Sequence, residues 1–448
     1  MDALKQYLDL YVAAEKQLQR PDLAPLNAMR PAALGRLMQA QCLPGAGAEL
    51  HPALSVSEMF APDYGVNLAR VPMTIDPAKT FNCAVPNIST LMGIVVGDTF
   101  APTASLLRSL PQGVEVMSLA AAAKQMPQTV AAYYNTLAAN GGQVADINTL
   151  LAQDGVFVHV GAGVKLDKPI QITNIFNAAM PTMAVRRLLV VVESGASVSM
   201  LVCDHTASEG VRHLACQVAE VFLAENATLE YVDMEESALD SRRAACFFAS
   251  LGAGASLTAN HTTLQCGRTS NTCRVALTGP GARAKLAGMA ICGADQVVDN
   301  VTDVRHIATD CHSDQMYKYI LDDRSRGSFY GKIVVEEPAV HTAAYQSNRN
   351  ILASEDAMMY TRPQLEIYCD DVKCSHGATV GQLDERALFY MQSRGVPRPQ
   401  ARMMLMQAFV SDVIDTVGID ALRSRLHQLV ERRLCGEPDL CQACKVKN

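Results

Sequence analysis

The chain has 448 residues, of which 49% are hydrophobic and 19% charged, so it is long enough for one large domain with appendages or for two or three domains. Its formal net charge of −7 gives no broad basic field, which argues against nucleic acid as the main partner. No apolar run has the length of a membrane span, the charged N-terminus lacks the apolar centre of a signal peptide, and the fourteen cysteines are scattered, so we expect a cytoplasmic protein with reduced thiols and no membrane segment.

The N-terminal region, residues 1–154, is predicted to be helical at first and α/β afterwards. Apolar residues from Leu4 to Val12 recur at helical spacing behind Asp2, which is a suitable N-cap. Further along, short helical segments between residues 104 and 139 follow an apolar strand at 92–96. We interpret the second half of this region as an α/β adaptor that leads into the core.

The core, residues 155–381, is predicted to form a right-handed parallel β-helix. Its β-branched runs alternate with turns of small residues, which align on Gly163, Ala196, Ala227, Ala255 and Ala282 at intervals of 33, 31, 28 and 27 residues. A loose repeat of this length without helical periodicity is typical of a solenoid, because each coil buries its apolar face only by stacking on the next. A β-sandwich fits less well, since its turn signals would come every 8 to 12 residues.

The C-terminal region, residues 382–448, is predicted to be a helical domain. Asp384 can cap a first helix that stops at Gly395, a second helix begins after Pro399, and a third begins at Asp420. The second helix carries a continuous apolar stripe. This stripe either packs on the β-helix or forms a docking surface for a partner protein.

Cys374 and His376 are the strongest candidates for a functional site. They lie two residues apart in a stretch that begins with a strand-like run at Leu365, so a continuing strand would place both on one face and Cys369 on the other. A thiolate beside an imidazole suits iron or another transition metal. Two ligands do not complete such a site, and a buried cysteine near a hydrogen-bonded histidine is the ordinary alternative.

Two other groups are weaker metal candidates. Cys311 and His312 are adjacent within an acidic segment, although in a polar loop such residues are more often solvated side chains. The tail carries Cys435, Cys441 and Cys444, but a zinc site would need a fourth ligand.

A longer pattern joins these observations to a known family. The segments that carry it are 322–333, 346–352, 363–367, 371–379 and 388–395. In this order they resemble the SufB/SufD family, the scaffold subunits of the SUF machinery for iron–sulfur cluster assembly. Two features make the chain similar to the SufD branch. One is the order Ser375, His376, Gly377, and the other is Asn348, which stands at about the position of a SufB cysteine.

The resemblance implies a parallel β-helix and a non-catalytic scaffold. The end of the β-helix is expected to pair with SufB, while the ATPase SufC binds the C-terminal helices; a homodimer is an alternative. His376, and secondly Cys374, are expected to hold iron or a nascent cluster transiently at the interface, with no cofactor permanently bound by this chain alone. The residues expected to take part in docking are Phe389, Leu405, Phe409, Val410, Val413 and Ile414.

Two other functions are compatible with a β-helix. Asp370 and Asp371 are the kind of acidic residues that serve acid–base chemistry or bind calcium in secreted polysaccharide lyases and hydrolases. The absence of tryptophan, a common sugar-stacking residue, and of a secretion signal argues against that function. A purely structural interaction protein is the other alternative, and no phosphate-binding loop suggests that the chain hydrolyses nucleotide itself.

Overall fold

Two long, mainly parallel sheets form the centre of the molecule, as shown by a computed structural model that describes residues 3–42, 54–71, 88–207 and 210–436. The first sheet has the strand order β19-β17-β15-β13-β11-β9-β7-β5-β4, with β1 paired to β7, and the second has the order β20-β18-β16-β14-β12-β10-β8-β6-β2-β3. Successive strands from β5 onwards alternate between the sheets, so the chain coils about seven times. The predicted mainly β fold with a parallel β-helix is confirmed.

The strands are β1 (Gly65–Val66), β2 (Leu91–Val96), β3 (Thr99–Pro102), β4 (Val114–Ser118), β5 (Val156–Val160), β6 (Ile170–Phe176), β7 (Thr182–Val192), β8 (Ser197–Thr206), β9 (His213–Leu223), β10 (Thr228–Glu236), β11 (Arg242–Leu251), β12 (Ser256–Gln265), β13 (Arg268–Leu277), β14 (Arg283–Cys292), β15 (Val297–His306), β16 (His312–Leu321), β17 (Arg326–Val335), β18 (Thr342–Leu352), β19 (Met358–Ile367) and β20 (Val372–Gly381). The helices are α1 (Lys5–Leu18), α2 (Ala24–Asn27), α3 (Arg30–Cys42), α4 (Val56–Phe60), α5 (Ala104–Ser109), α6 (Leu119–Gln125), α7 (Pro127–Tyr133), α8 (Gln143–Leu151), α9 (Glu385–Ser393), α10 (Arg398–Ile414) and α11 (Asp420–Leu434). None of the helices within the described ranges is long and apolar enough to span a membrane.

One buried corner residue recurs in each coil of the β-helix. The sequence repeat at Ala196, Ala227, Ala255 and Ala282 marks this corner, and the structure extends the series to Cys311 and Thr342. Each corner carbonyl accepts a hydrogen bond from the next coil; for example, the N–H of Arg283 donates to the carbonyl of Ala255 at 2.8 Å. A small side chain is favoured because the corner points into the core, where there is little room.

The interior of the β-helix is apolar on one side and charged on the other. Val190, Val221, Ala249, Val275 and Val304 form one in-register apolar column across the first sheet, and all five are buried. Burial of a valine side chain contributes about 1.5–3 kcal/mol, and stacking supplies that burial for each coil.

The charged side of the interior is organised around Arg243. Its guanidinium contacts Asp233, lies 3.2 Å from Asp204 through Nε, and lies 3.8 Å from Glu235 through Nη1. All four side chains are buried. Isolated buried charges are strongly unfavourable, so this cluster persists because each carboxylate has a cationic or hydrogen-bonding partner.

The N-terminal region packs on the outer face of the first sheet and also extends both sheets. Leu4, Tyr7, Leu8 and Tyr11 are buried in α1, as the helical spacing predicts, whereas Val12 is exposed. Strand β2 pairs in parallel with β6, and β4 pairs antiparallel with β5. The predicted α/β region is confirmed: its strands continue the two sheets, and its helices cover the outer face of the first sheet.

The C-terminal helices pack on the outer face of the second sheet. Asp384 accepts the N–H of Arg386 and caps α9, as predicted. In α10, the backbone carbonyl of Phe409 accepts a hydrogen bond from the ammonium group of Lys318, at 2.7 Å. Asn260 likewise donates to the carbonyl of Val413, at 2.9 Å, so polar contacts fix α10 on the sheet.

This packing changes the predicted docking surface. Val410, Val413 and Ile414 are fully buried, in one apolar cluster with outward-facing residues of the second sheet such as Met289 and Ile320. The prediction that these three side chains face a partner was wrong, because the sheet of the same chain covers them. Leu405 and Phe409 also pack against this cluster and are only partly buried, whereas Phe389 is 73% exposed.

Candidate functional site

The C-terminal end of the β-helix is open. Strands β19 and β20 are the last strands of the two sheets, and among the residues that the structure describes each is paired on one side only. An unpaired edge presents free backbone N–H and C=O groups, which natural proteins usually cover or protect. The large apolar side chains exposed at this end are Tyr345, Met358, Tyr360, Ile367, Tyr368 and Val380.

Cys374 and His376 both lie on β20, at this open end. In register with β18, Cys374 is opposite Ala344 and His376 is opposite Gln346. Both side chains therefore lie on the inner face of the last coil, whereas the odd-numbered residues of β20 point outward. The sequence prediction that the two side chains leave the same face of one strand agrees with this register.

The thiol and the imidazole differ in environment. Cys374 is half-buried beside an apolar cluster that includes Val335 and Ala344, and burial raises the pKa of the Cys374 thiol. His376 is exposed, and its ring makes no hydrogen bond or ion pair with any described residue. The site thus presents a shielded thiol next to a histidine that is open to an incoming group.

The location of Cys369 corrects one expectation. The stretch is not a single strand, because β19 ends at Ile367 and β20 begins at Val372, with the last corner between them. Cys369 lies in that corner and is buried in the same apolar cluster as Cys374. The rule of alternation that placed Cys369 on the opposite face does not apply across a corner.

Sequence reasoning missed a set of buried polar residues beneath the open end. Gln315 and Gln346 stand in the column that ends at His376, and both are buried. Asn348, at about the position of the SufB cysteine, donates from its side chain to the carbonyl of Tyr317 at 3.2 Å and accepts from Asn350 at 2.7 Å. The sequence does contain a signal, because polar residues alternate at positions 346, 348 and 350. Only the strand register shows that these side chains face inward.

Cys311 and His312 do not form a shared site. Cys311 is the corner residue of its coil, is buried in the main core, and donates from its thiol to the carbonyl of Gly279 at 3.4 Å. His312 begins β16, is only partly buried, and lies with its ring centroid 5.8 Å from that of Tyr345. The metal prediction for this pair was wrong, because neighbouring residues at a strand start point in opposite directions.

The cysteines of the tail remain largely outside the described residues. Cys441 and Cys444 lie beyond residue 436. Cys435 is exposed, and its sulfur lies 3.1 Å from the sulfur of Met403. Within the described ranges, no group of three or more His, Cys, Asp or Glu side chains is arranged to hold a metal ion.

The structure therefore defines a β-helical protein whose last coil is unpaired and carries Cys374 and His376. The comparison with protein families identifies the class to which this architecture belongs. Residues 174–409 match the SufBD core domain of the SUF system for FeS cluster assembly, and residues 1–172 match the SufBD N-terminal region. The chain belongs to the SufBD family of iron–sulfur cluster assembly proteins.

Relatives are found in several bacteria. An iron–sulfur cluster assembly SufBD family protein of Synechocystis is 27% identical over 388 residues, which cover 84% of each chain. The iron–sulfur cluster assembly protein SufD of Escherichia coli is 36% identical over 160 residues, 36% of this chain and 38% of that protein. The SufD protein of Bacillus subtilis is 22% identical over 333 residues, 72% of this chain and 74% of its own length.

Proposed function

We propose that this chain is a SufD-type subunit that pairs with SufB at the open end of its β-helix and receives iron or a nascent cluster at His376. The observation that carries the proposal is the uncovered last coil, where an exposed imidazole and a half-buried thiol share one strand next to exposed apolar side chains. The relatives named SufD support the choice of branch. The chain then works as a non-catalytic cytoplasmic scaffold, and the ATPase is the partner SufC.

Iron or a cluster is cargo in this proposal, so the site is built to receive and release it. A single imidazole with one thiolate supplies too few ligands for a stable site, and SufB would supply the others. Covering the open end removes water from around Cys374 and His376. A dry interface also protects an oxygen-sensitive cluster while it forms, whereas a permanent site inside one chain would retain the cluster.

His376→Ala tests this function. We expect the variant to fold and to bind SufB and SufC as the unchanged chain does, because the ring is exposed and makes no contact that supports the fold. Iron loading of the complex under anaerobic conditions, measured by iron content and visible absorption, is expected to be lost.

The matched control for this test is His341→Ala. His341 is also exposed and lies on the adjacent corner, where its ring contacts Asp310 at 3.0 Å. We expect this control to load iron normally. Full loading by His376→Ala would contradict the assigned role.

The C-terminal helices offer a second surface, suited to SufC. Phe389 and Tyr390 are adjacent on α9 and are 73% and 60% exposed, and Met404 on α10 is 43% exposed. Exposed aromatic residues are costly for a free surface and are frequent anchors of interfaces. The revised docking surface therefore consists of these residues, together with the partly buried Leu405 and Phe409 of α10.

Phe389→Ala is expected to weaken SufC binding by about 10- to 100-fold in Kd, which corresponds to about 1.4–2.8 kcal/mol for an aromatic anchor. Isothermal titration of purified SufC into the full chain measures this change. Leu107→Ala, which truncates an apolar side chain of the N-terminal region that is 59% exposed, is the control and is expected to bind normally. Unchanged affinity of Phe389→Ala would show that SufC binds elsewhere.

The polysaccharide alternative has little support from the structure. Asp370 and Asp371 are both exposed at the last corner, and the carboxylate of Asp371 lies 3.3 Å from the ring of His341. The family match covers the β-helix, including this corner. Incubation with pectin-like substrates, followed by detection of unsaturated products, tests that alternative directly.

A further inference from the structure

Two glutamines occupy the interior column that leads to His376. Leu286, Gln315, Gln346 and His376 are in register on four successive strands of the second sheet. Gln315 and Gln346 are 0% and 3% exposed, and neither the oxygen nor the nitrogen of either amide has a hydrogen-bond partner within the described part of the chain. A buried amide without partners costs about 1–3 kcal/mol, so its presence calls for an explanation beyond stability.

The amide of Gln346 is held in a defined place. It lies over Gly331 on the opposite sheet, where a Cβ added to Gly331 would be 2.3 Å from Nε2 of Gln346. The glycine thus leaves the space that the amide fills. Of the described residues, His376 alone continues the column above Gln346, one strand spacing of about 4.8 Å away on the last coil.

We propose that Gln346 is a positioning residue for His376. When a partner covers the open end, the exposed imidazole turns over the column and donates one ring N–H to the amide oxygen of Gln346. This hydrogen bond fixes the tautomer, so the lone pair of the other ring nitrogen faces the interface and can bind iron. The inference rests on the proposed role of His376 as an iron ligand.

The physical basis is the behaviour of histidine ligands in general. A ligating histidine usually donates its second N–H to an oxygen acceptor, and removal of that acceptor typically lowers metal affinity by about 10- to 100-fold. Here the acceptor is already buried and unpaired, whereas the histidine is free to change rotamer. Formation of the bond would satisfy a polar group that the fold leaves unsatisfied.

The test compares three variants of the full chain, each in complex with SufB and SufC. Gln346→Leu removes the acceptor at nearly constant volume, Gln346→Glu retains an oxygen at the same reach, and Gln315→Leu makes the same change one coil further from His376. Ferrous iron alone is the probe, titrated anaerobically. We expect Gln346→Leu to lose about 10- to 100-fold in affinity, and the other two to stay near the unchanged chain.

Folding does not obscure the result, because replacing an unsatisfied amide by an apolar side chain of similar size is close to neutral. Gly331→Ala is a second variant, since the added methyl group displaces the amide of Gln346 and is expected to lower affinity as well. Normal affinity of Gln346→Leu, or equal losses in Gln346→Leu and Gln346→Glu, would overturn the inference. Unchanged iron loading by His376→Ala would instead overturn the proposed function itself.

Discussion

Arg243→Met is expected to be the most damaging single substitution in the β-helix. It removes the cation shared by Asp204, Asp233 and Glu235, all of which are buried. Breaking a buried ion pair by removing one partner typically costs about 3–5 kcal/mol, and three carboxylates share this partner. We therefore expect a loss of at least about 4 kcal/mol in the free energy of unfolding at pH 7.5, measured by urea denaturation followed by circular dichroism.

The pH dependence of this variant identifies the cause. Burial raises the pKa of Glu235 to about 7 even with Arg243 present, so this carboxyl takes up a proton as the pH falls below about 7. Without the arginine, the folded state binds protons that the unfolded state releases at the same pH, and stability falls as pH rises. The loss in free energy of unfolding, relative to the unchanged chain, should therefore be smaller at pH 5.5 than at pH 7.5.

The adjacent Arg242 supplies the matched control. Its side chain faces outward and donates to backbone carbonyls of α4, including that of Met59 at 3.3 Å. Arg242→Met makes the same chemical change without exposing a carboxylate to a dry interior. A similar loss in both variants, with no difference between the two pH values, would show that the interior charge cluster does not determine stability.

Glu220→Ala is expected to have the second largest effect, at the junction between the β-helix and the N-terminal region. Glu220 and Arg187 are both fully buried, and Oε2 of Glu220 lies 2.5 Å from Nη2 of Arg187. The same carboxylate accepts the backbone N–H groups of Asn135, Leu137 and Ala138 at 2.7 to 3.0 Å. Its removal leaves a buried guanidinium and three N–H groups without their acceptor.

We expect this substitution to cost about 3–5 kcal/mol and to loosen the segment that follows α7 before the rest of the chain. Arg187 keeps other contacts, including Asn148 at 3.1 Å and the ring of Tyr134 at 4.5 Å, so the guanidinium is held but not neutralised. Thermal denaturation and limited proteolysis near residue 135 measure the two effects. Glu225→Ala, at an exposed corner, is the control and should be neutral; equal stability of both variants would contradict this account.

Much of the fold follows from local features of the chain. The corner repeat at Ala196, Ala227, Ala255 and Ala282 indicated the coils, because a buried corner accepts only small side chains. The same repeat continues at Cys311, which the sequence made a weak metal candidate because a cysteine lies beside a histidine. The register shows instead that Cys311 fills the small-residue position of its coil.

The candidate site was predictable in part. The spacing of Cys374 and His376 and the resemblance of the surrounding segments located it, and the structure places both residues on the last strand. Gln315 and Gln346 are 31 residues apart and join His376 only through strand pairing, so no local pattern reveals their column. The stripe of α10 was ambiguous for the same reason, since an apolar helix face does not specify which surface will cover it.

The sequence by itself determined the repeating coil, the capped C-terminal helices and the thiol–imidazole pair, because each depends on residues that are close along the chain. Only the tertiary structure decided that Val410, Val413 and Ile414 are covered by the second sheet, that Arg243 joins three carboxylates, and that the last coil is uncovered. These features depend on residues from different coils or regions, and stacking of the coils sets which of them meet.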